Sequence, residues 1–414
     1  PGLPMSSLDH TLVCANSLTG IGTIDEALNA LEPKRDPKKG TVSIFRIEIE
    51  NALEDARRLL VDAANSSEAT KAEVRQAAEA AARAAEAAAP TRLLFDAAVA
   101  VRIGELPVVA GSAAEIQHLA SAKHVQDWLL SLNPAHMPFL FPEVFLRESA
   151  GFDVLVGNPP WEEVKVDAWR WWTLRAPGLM GLPAAKRDVV IAALEEERPD
   201  LVRALKTEQE AVSTLSQVLA SSPYPGIGTG DLDLYKIFVW RNWQLLRPSG
   251  LLGLVLPRGA LVAAGTTEWR KTVLEEGSFV DVCMLANTKG WVFDEIDPGN
   301  TVVLTVVSKG TSTDVRFCGP FASMDEFLAD RDDHTTVPIE EFLGWSDSYT
   351  FPRVPDAQAG AILRKMKVHP RLDSTQGFEF RPHRELDLTN DKHLFDVDIA
   401  TTEFPMPVMG GASF

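Results

Sequence analysis

Short apolar runs alternate with stretches of helical periodicity along much of the chain. The runs at residues 251–256, 279–285 and 301–307 have the length of buried strands and are rich in Val and Leu. Residues 231–246 place their apolar side chains at helical spacing instead. This alternation predicts a doubly wound α/β domain over about residues 11–310, with helical insertions.

Two of the predicted strands end in polar loops. Residues 152–157, Phe-Asp-Val-Leu-Val-Gly, form a hydrophobic run that stops at the tetrapeptide Asn158-Pro159-Pro160-Trp161. Residues 11–18 suit a buried strand followed by a ligand-facing loop that contains Asn16 and Ser17. Because open parallel sheets bind ligands at the carboxyl ends of their strands, these loops are candidate ligand sites.

The other predicted elements are helical, apart from the tail. Residues 43–89 indicate an antiparallel helical hairpin, and its part at 71–89 is rich in Ala and Glu. Because such helices need no ligand to be stable, the hairpin is interpreted as an inserted, solvated spacer. Further helices are predicted at 113–132 and 188–219. From residue 311 onward the periodicity weakens and Pro, Asp and Arg are more frequent, so we interpret this tail as a linker.

Composition argues against several classes of protein. No apolar run in the 414 residues reaches the roughly 18 residues of a membrane helix, and no secretory signal pattern is present at the N-terminus. We therefore expect a cytoplasmic protein without a membrane partner. Cys14, Cys283 and Cys318 lie far apart, with no Cys-x-x-Cys pair and no His at ligand spacing. Neither a disulfide nor a metal site is expected.

The charge balance bears on a nucleic-acid partner. The net charge is −18, whereas a protein that grips DNA needs clustered Lys and Arg to contact phosphates. Either DNA is not the partner, or a separate basic module holds it.

The tetrapeptide suits the binding of a planar amine such as N6 of adenine. The lone pair of N6 is delocalised into the ring. Hydrogen-bond acceptors directed at the two N6 hydrogens would localise this lone pair on nitrogen again. Asn158 offers its side-chain oxygen and Pro159 its backbone carbonyl, while the prolines fix the backbone. Trp161 offers an aromatic face to an extruded base. The alternative is a tight turn with Trp161 as a buried anchor.

Residues 152–161 resemble the catalytic motif of N6-adenine DNA methyltransferases, in particular those joined to nucleases in type II restriction-modification and related phage-defence systems. Other stretches resemble further parts of this family in the same order along the chain. They are residues 9–18 (the loop at the cofactor adenine), 141–145 (the lead-in to the catalytic strand), 230–235, 246–257 and 287–307 (later core motifs), and 381–391 (the passage before the target recognition domain).

The resemblance implies a partial Rossmann-like methyltransferase sheet and transfer of a methyl group from S-adenosyl-L-methionine to N6 of adenine in double-stranded DNA, with base flipping. A nuclease domain or subunit is a further expected partner. The implied site residues are Asn158, Pro159, Pro160 and Trp161 for catalysis; Asn16, Ser17 and Asn158 for the cofactor; and Trp161, Asp231 and Tyr235 for the substrate.

One part of the family pattern is missing from the sequence. The family binds its cofactor at an Asp-x-x-x-Gly-x-Gly turn, but Gly20-Ile21-Gly22 follows the wrong strand and the glycines at 226–230 follow a helical region. The resemblance therefore implies that this turn lies upstream of residue 1 and a target recognition domain beyond residue 414.

The predicted organisation follows from this resemblance. It divides the chain into a cofactor-side strand and loop (1–42), a helical insertion (43–135), a catalytic core (136–310) and a linker toward the recognition domain (311–414). No nuclease signature is found in the sequence.

Two alternative functions stay open at this point. The same tetrapeptide serves methylation of amines in RNA bases or in protein glutamine side chains, since these groups are also planar. The chain could instead have only a structural or DNA-binding role within a larger complex.

Overall fold

The structure is a computed structural model that describes residues 12–35, 43–64, 70–108, 111–176, 178–227, 230–310 and 313–370. Within these ranges, strands and helices form a mixed α/β fold with one six-stranded sheet. The strands are β1 (Phe152–Gly157), β2 (Leu246–Pro257), β3 (Ser278–Ala286), β4 (Thr301–Ser308), β5 (Asp314–Phe321) and β6 (Thr335–Pro338). The predicted α/β class is confirmed, as are the four strands predicted at 152–157, 251–256, 279–285 and 301–307.

The strand order in the sheet is β1-β2-β4-β3-β5-β6. The pairs β1/β2 and β3/β5 are parallel, and the pairs β2/β4, β4/β3 and β5/β6 are antiparallel. Parallel neighbours require a long crossover, and the helical residues between β1 and β2 supply it.

Helices occupy most of the rest of the described chain. They are α1 (Ile24–Leu31), α2 (Ile44–Ala64), α3 (Lys71–Arg102), α4 (Ala113–Ala120), α5 (Lys123–Leu132), α6 (Met137–Leu140), α7 (Pro142–Phe145), α8 (Ala168–Arg175), α9 (Ala184–Glu197), α10 (Pro199–Ala220), α11 (Leu234–Leu245), α12 (Gly259–Val262), α13 (Thr267–Glu276), α14 (Met324–Asp330), α15 (Ile339–Leu343) and α16 (Ala357–Lys367). The helices predicted at 113–132 and 188–219 are each divided in two, the second of them where Pro199 begins α10.

Strand β1 lies at one edge of the sheet. Its pairing with β2 runs from Phe152 to Gly157, and β2 is its one strand neighbour among the described residues. Val154 and Val156 are 57% and 84% exposed, although the apolar run predicts burial. The carboxyl end of β1, where the tetrapeptide begins, is therefore open on one side.

The helical hairpin at 43–89 packs one face into a core, so its interpretation as a solvated spacer is wrong for that face, although most other side chains of residues 71–89 are exposed. Ala80, Ala84 and Ala88 of α3 are buried at four-residue spacing, and residues 94–100 of α3 are all buried, with Leu94 and Phe95 at 1% or less exposure. Small side chains let α2 and α3 pack closely, so the Ala-rich composition reflects helix contact rather than solvation.

Two other predictions are also corrected. Residues 12–14 are not a buried strand. Leu12 and Val13 are 74% and 42% exposed, because no strand of the described chain pairs with them. Residue 11 lies outside the described residues.

Residues 314–338 are not a linker, since β5 and β6 extend the sheet and bury Val315 and Phe317. Arg316 and the Gly319-Pro320 pair interrupt the apolar pattern of β5. Residues 371–414 lie outside the described residues.

The chain divides into two compact units, residues 1–361 and 362–414. All of the features discussed below lie in the first unit. The described residues of the second unit, 362–370, complete α16 and the turn after it. In the described chain, no helix has the length and apolar character needed to cross a membrane.

Candidate active site at the carboxyl end of strand β1

The tetrapeptide follows β1 directly and lines an open cavity of about 720 Å³. Pro159 is buried, whereas the Asn158 side chain is exposed and has no hydrogen-bond partner among the described residues. The backbone is therefore held while the amide of Asn158 is free to bind a ligand. The cavity is lined by Asn158, Pro159, Pro160, Trp161, Glu162, Arg170, Phe293, Asp294, Glu295 and Ile296.

Trp161 is half-buried and held in one orientation. Its indole Nε1–H donates to the carbonyl oxygen of Val255 on β2 at 3.3 Å. Its ring meets Phe293 edge to face, with 6.0 Å between the ring centroids and an interplanar angle of 89°. Both rings pack against the apolar cluster formed by β3, β4 and β5. Trp161 thus has an anchoring role, and it also lines the cavity.

Phe293 is a site residue that sequence reasoning did not single out. It lies in the loop between β3 and β4, which is organised by the fully buried Asn287. The Asn287 amide nitrogen donates to the carbonyls of Phe293 and Ile296 at 2.9 and 3.0 Å, and its oxygen accepts from the backbone N–H groups of Val292 and Phe293. The resemblance covered residues 287–307 without assigning Phe293 a role, because its approach to Trp161 depends on the fold.

The charges around the cavity are mostly negative. Glu162, Asp294 and Glu295 are exposed in its lining, and Arg170 is the single cationic lining residue. Phosphate groups would be repelled from such a lining. An uncharged base whose amine hydrogens carry partial positive charge suits it better.

The structure brings the segment with Asp231 and Tyr235 next to the tetrapeptide. The backbone N–H of Leu234 donates to the Glu162 carbonyl at 2.9 Å, and that of Val164 donates to the Leu232 carbonyl at 2.8 Å.

Asp231 and Tyr235 themselves do not line the cavity. Tyr235 is 5% exposed, and burial, with a smaller contribution from Asp233, raises the pKa of its phenol to about 12. Asp231 is exposed, and its backbone carbonyl accepts a hydrogen bond from Lys236. Tyr235 thus packs beneath this segment as a neutral core side chain.

Asn16 and Ser17 lie in a loop that pairs with the chain after α5. The Asn16 backbone bonds to Asn133 and Ala135, and its side-chain oxygen accepts from the Leu18 N–H at 3.0 Å. Neither Asn16 nor Ser17 lines the cavity of the tetrapeptide. Their proposed contact with a cofactor stays a prediction.

The glycines that follow this loop are required by packing. A Cβ atom on Gly20 would lie 1.9 Å from the carbonyl oxygen of Ala135, and one on Gly22 would lie 1.9 Å from the guanidinium of Arg241. Protein atoms therefore occupy the space next to these two glycines, and residues 20–22 lie in a loop.

Comparison with known proteins finds no matching family profile and no matching characterised protein. Solved structures with partial likeness include a chain of a type I restriction-modification system, at 13% identity and a TM-score of 0.27 over 63% of this chain and 46% of that one. Another is the modification subunit of a putative type I restriction enzyme from Vibrio vulnificus YJ016, at 13% identity and a TM-score of 0.28 over 62% and 51%.

A third solved structure is a nuclease-deletion mutant of the Type ISP restriction-modification enzyme LlaGI in complex with a DNA substrate mimic. It has 8% identity and a TM-score of 0.28 over 79% of this chain and 38% of that one. This chain spans about half or less of the length of these three solved chains.

Proposed function

We propose that this chain carries the amine-acceptor site of an S-adenosyl-L-methionine-dependent methyltransferase that acts on N6 of adenine in double-stranded DNA, within a restriction-modification or phage-defence enzyme. The observation that carries the proposal is the tetrapeptide at the open carboxyl end of β1. Its Asn158 side chain is unpartnered among the described residues and faces a cavity that also contains two aromatic rings.

The chemistry of this proposal requires two acceptors for one amine. The Asn158 side-chain oxygen and the Pro159 carbonyl would each accept one N6 hydrogen, which favours localisation of the lone pair on nitrogen as the bond to the methyl carbon forms. Because Pro159 and Pro160 restrict the backbone, the acceptors need little reorganisation when the base arrives.

The base would have to leave the DNA helix to reach these acceptors. Trp161 and Phe293 line the same cavity and offer aromatic faces for an extruded adenine. The negative lining keeps phosphates out of the cavity, so the backbone of the DNA would lie outside it.

In this proposal the described residues supply the acceptor side of the reaction. When bound, S-adenosyl-L-methionine would supply the electrophilic methyl group. The glycines at 20 and 22 do not fit a cofactor cradle, because the space above them is filled by protein atoms. Asn16, Ser17 and Asn158 are the residues that we propose on the cofactor side.

A methyl-transfer assay tests this function. The protein expressed from its complete coding sequence is given cofactor with a radiolabelled methyl group and three acceptors: duplex DNA, duplex RNA and a glutamine-containing peptide. We expect label in DNA only, recovered as N6-methyladenine after digestion. Label in RNA or in the peptide would identify that molecule as the substrate instead of DNA. No transfer to any acceptor would favour a structural role.

A further inference from the structure

A mixed cluster of potential metal ligands lies on the strands farthest from β1. Asp281, Cys318 and His334 place one oxygen, one sulfur and one nitrogen atom within 4.8 Å of one another. Asp281 lies on β3, Cys318 lies on β5, and His334 directly precedes β6. The sequence predicted no metal site because the spacing of the three residues resembles no metal-binding motif.

The strand register explains why these side chains meet. Cys283 on β3 pairs with Cys318 on the parallel neighbour β5, so both thiols lie on the same face of the sheet. Asp281 precedes Cys283 by two residues and therefore shares that face. Continuing the β5/β6 register by one residue places His334 opposite Cys318. The His334 ring reaches back over β5, and its Nε2 lies 2.8 Å from Oδ1 of Asp281.

We propose that Asp281, Cys283, Cys318 and His334 bind one zinc ion. Two sulfur ligands with an imidazole and a carboxylate are a donor set that zinc accepts, and four protein ligands are typical of a closed structural site. Cys283 pairs with Cys318 across the parallel strands β3 and β5, so its thiol lies on the same face and is the candidate for the fourth ligand. Ligand atoms around tetrahedral zinc lie about 3.6 Å apart. The 2.8 Å contact between Asp281 and His334 would therefore open, and separations of up to 4.8 Å within the cluster would close.

Burial of the cluster suits a structural metal with access from one side. Cys283 and Cys318 are 6% and 1% exposed, and the His334 side chain is 7% exposed. The Asp281 side chain is 42% exposed and marks the side from which an ion would enter.

Binding requires a defined release of protons. Arg316 Nη2 lies 3.3 Å from His334 Nδ1, and since a guanidinium only donates, Nδ1 accepts and Nε2 carries the proton toward Asp281. Zinc would displace both thiol protons to solvent.

The histidine must also change tautomer. Zinc would take the Nε2 lone pair of His334, and the ring proton would then be on Nδ1. Arg316 would have to turn away from Nδ1, and its exposed position allows this. The charge of two thiolates and one carboxylate exceeds that of zinc by one.

The site would brace the part of the sheet that supports Trp161. Cys283 and Cys318 belong to the same apolar cluster as Trp161 and Phe293. One ion would therefore join β3, β5 and the start of β6 at this cluster.

Metal content of the purified chain tests the proposal. The 414-residue chain is expressed with zinc in the medium, purified under reducing conditions without chelator and analysed by mass spectrometry of its elements. We expect one zinc per chain, and a loss of affinity of at least about tenfold in Cys318→Ser and His334→Gln. The control variants Cys14→Ser and His118→Gln change an exposed cysteine and an exposed histidine and should keep the metal.

Cobalt substitution checks the ligand set independently of these variants. The cobalt-loaded wild-type chain should show the charge-transfer absorption of thiolate ligands, and Cys283→Ser should weaken it by about half, because one of two thiolates is lost. Circular dichroism monitors folding, and if Cys318→Ser does not fold, the wild-type cobalt spectrum decides. Three results would each overturn the site. They are a wild-type chain that is purified without zinc and shows no thiolate absorption after cobalt is added, zinc retained in both Cys318→Ser and His334→Gln, and a disulfide between Cys283 and Cys318.

Discussion

At the scale of single residues, Asn158 combines a fixed backbone with a free side chain. Pro159 and Pro160 restrict the chain directly after it, while the amide itself has no partner among the described residues. Because the backbone is already restricted, only the side-chain torsions of Asn158 lose entropy when a ligand binds, and this suits a site with two oriented acceptors.

Replacement of Asn158 should therefore affect turnover and leave folding intact. In the protein expressed from its complete coding sequence, Asn158→Ala should cost about 2.7 to 4 kcal/mol of transition-state stabilisation, by analogy with the loss of one oriented polar group at other sites. Single-turnover methyl transfer and thermal melting measure the two effects. Asn29→Ala, on the exposed face of α1, is the matched control. Unchanged turnover in Asn158→Ala would assign the chemistry to other residues.

Trp161 has two contributions that substitutions can separate. If its ring stacks on an extruded adenine, Trp161→Phe and Trp161→Tyr should retain activity that Trp161→Leu loses, since stacking contributes roughly 1 to 3 kcal/mol per base. The indole of Trp161 also donates a hydrogen bond to the Val255 carbonyl and contacts Phe293. Because the substitutions alter these interactions, we expect all three variants to lose some thermal stability as well.

Turnover and melting temperature measured together distinguish the two contributions of Trp161. Retained turnover in the two aromatic variants supports stacking. Turnover that only follows melting temperature across the set would make Trp161 an anchor, with Phe293 left as the aromatic face of the cavity.

At the scale of elements, Glu26 joins three helices that are distant in sequence. Its carboxylate lies 2.7 Å from Arg102 of α3 and 2.6 Å from Arg241 of α11, and it accepts the Gly22 N–H at 2.7 Å. Burial raises the pKa of Glu26, but the attraction and hydrogen bonds of the two arginines outweigh it, so the pKa lies below its usual value. The Glu26 side chain is 7% exposed, so this ion cluster is internal.

Glu26→Gln should be strongly destabilising, because two buried guanidinium groups would lose their shared anion. Breaking a buried pair in this way costs about 3 to 5 kcal/mol. The surface pair of Arg46 and Glu50 provides the control, since Glu50→Gln should cost about 0 to 1 kcal/mol. Urea denaturation at neutral pH measures both.

The lowered pKa of Glu26 also predicts that the free energy of unfolding decreases at acid pH. Because the folded pKa of Glu26 is lowered, its contribution is present above the unfolded pKa and is lost as the pH falls through the folded value. The wild-type chain should lose more stability than Glu26→Gln as the pH falls below about 4.5. Parallel profiles for the two proteins would show that Glu26 is not the group that titrates.

At the scale of the whole molecule, the acidic charge of the chain disfavours contact with DNA phosphates. The chain has 40 basic and 58 acidic residues, and acidic side chains dominate the cavity lining. We expect the 414-residue chain to bind duplex DNA no tighter than non-specific complexes, with Kd above about 10⁻⁶ M.

Fluorescence anisotropy with a labelled duplex measures this affinity at low and at physiological salt. Proteins that contact 6 to 10 phosphates lose roughly 10³ to 10⁵ in affinity between these conditions, and this chain should lose less than about tenfold. Tight binding with a steep salt dependence would locate a phosphate-binding surface on this chain.

The sequence by itself determined the features that depend on neighbouring residues. A Val-rich strand at 152–157 followed by two prolines is specified locally, because alternation and fixed proline dihedrals act within a few residues. The strands β2, β3 and β4 follow from apolar runs of strand length, and the α/β class follows from their alternation with helices.

Tertiary structure decided the features that depend on strand pairing and helix contact. The burial of α3 follows from its packing against α2, which a composition of Ala and Glu does not reveal. The meeting of Trp161 with Phe293, and of His334 with Asp281 and Cys318, depends on loop placement and strand register. Such contacts join residues far apart in the chain, and local periodicity does not determine the strand register that decides which side chains of different elements meet.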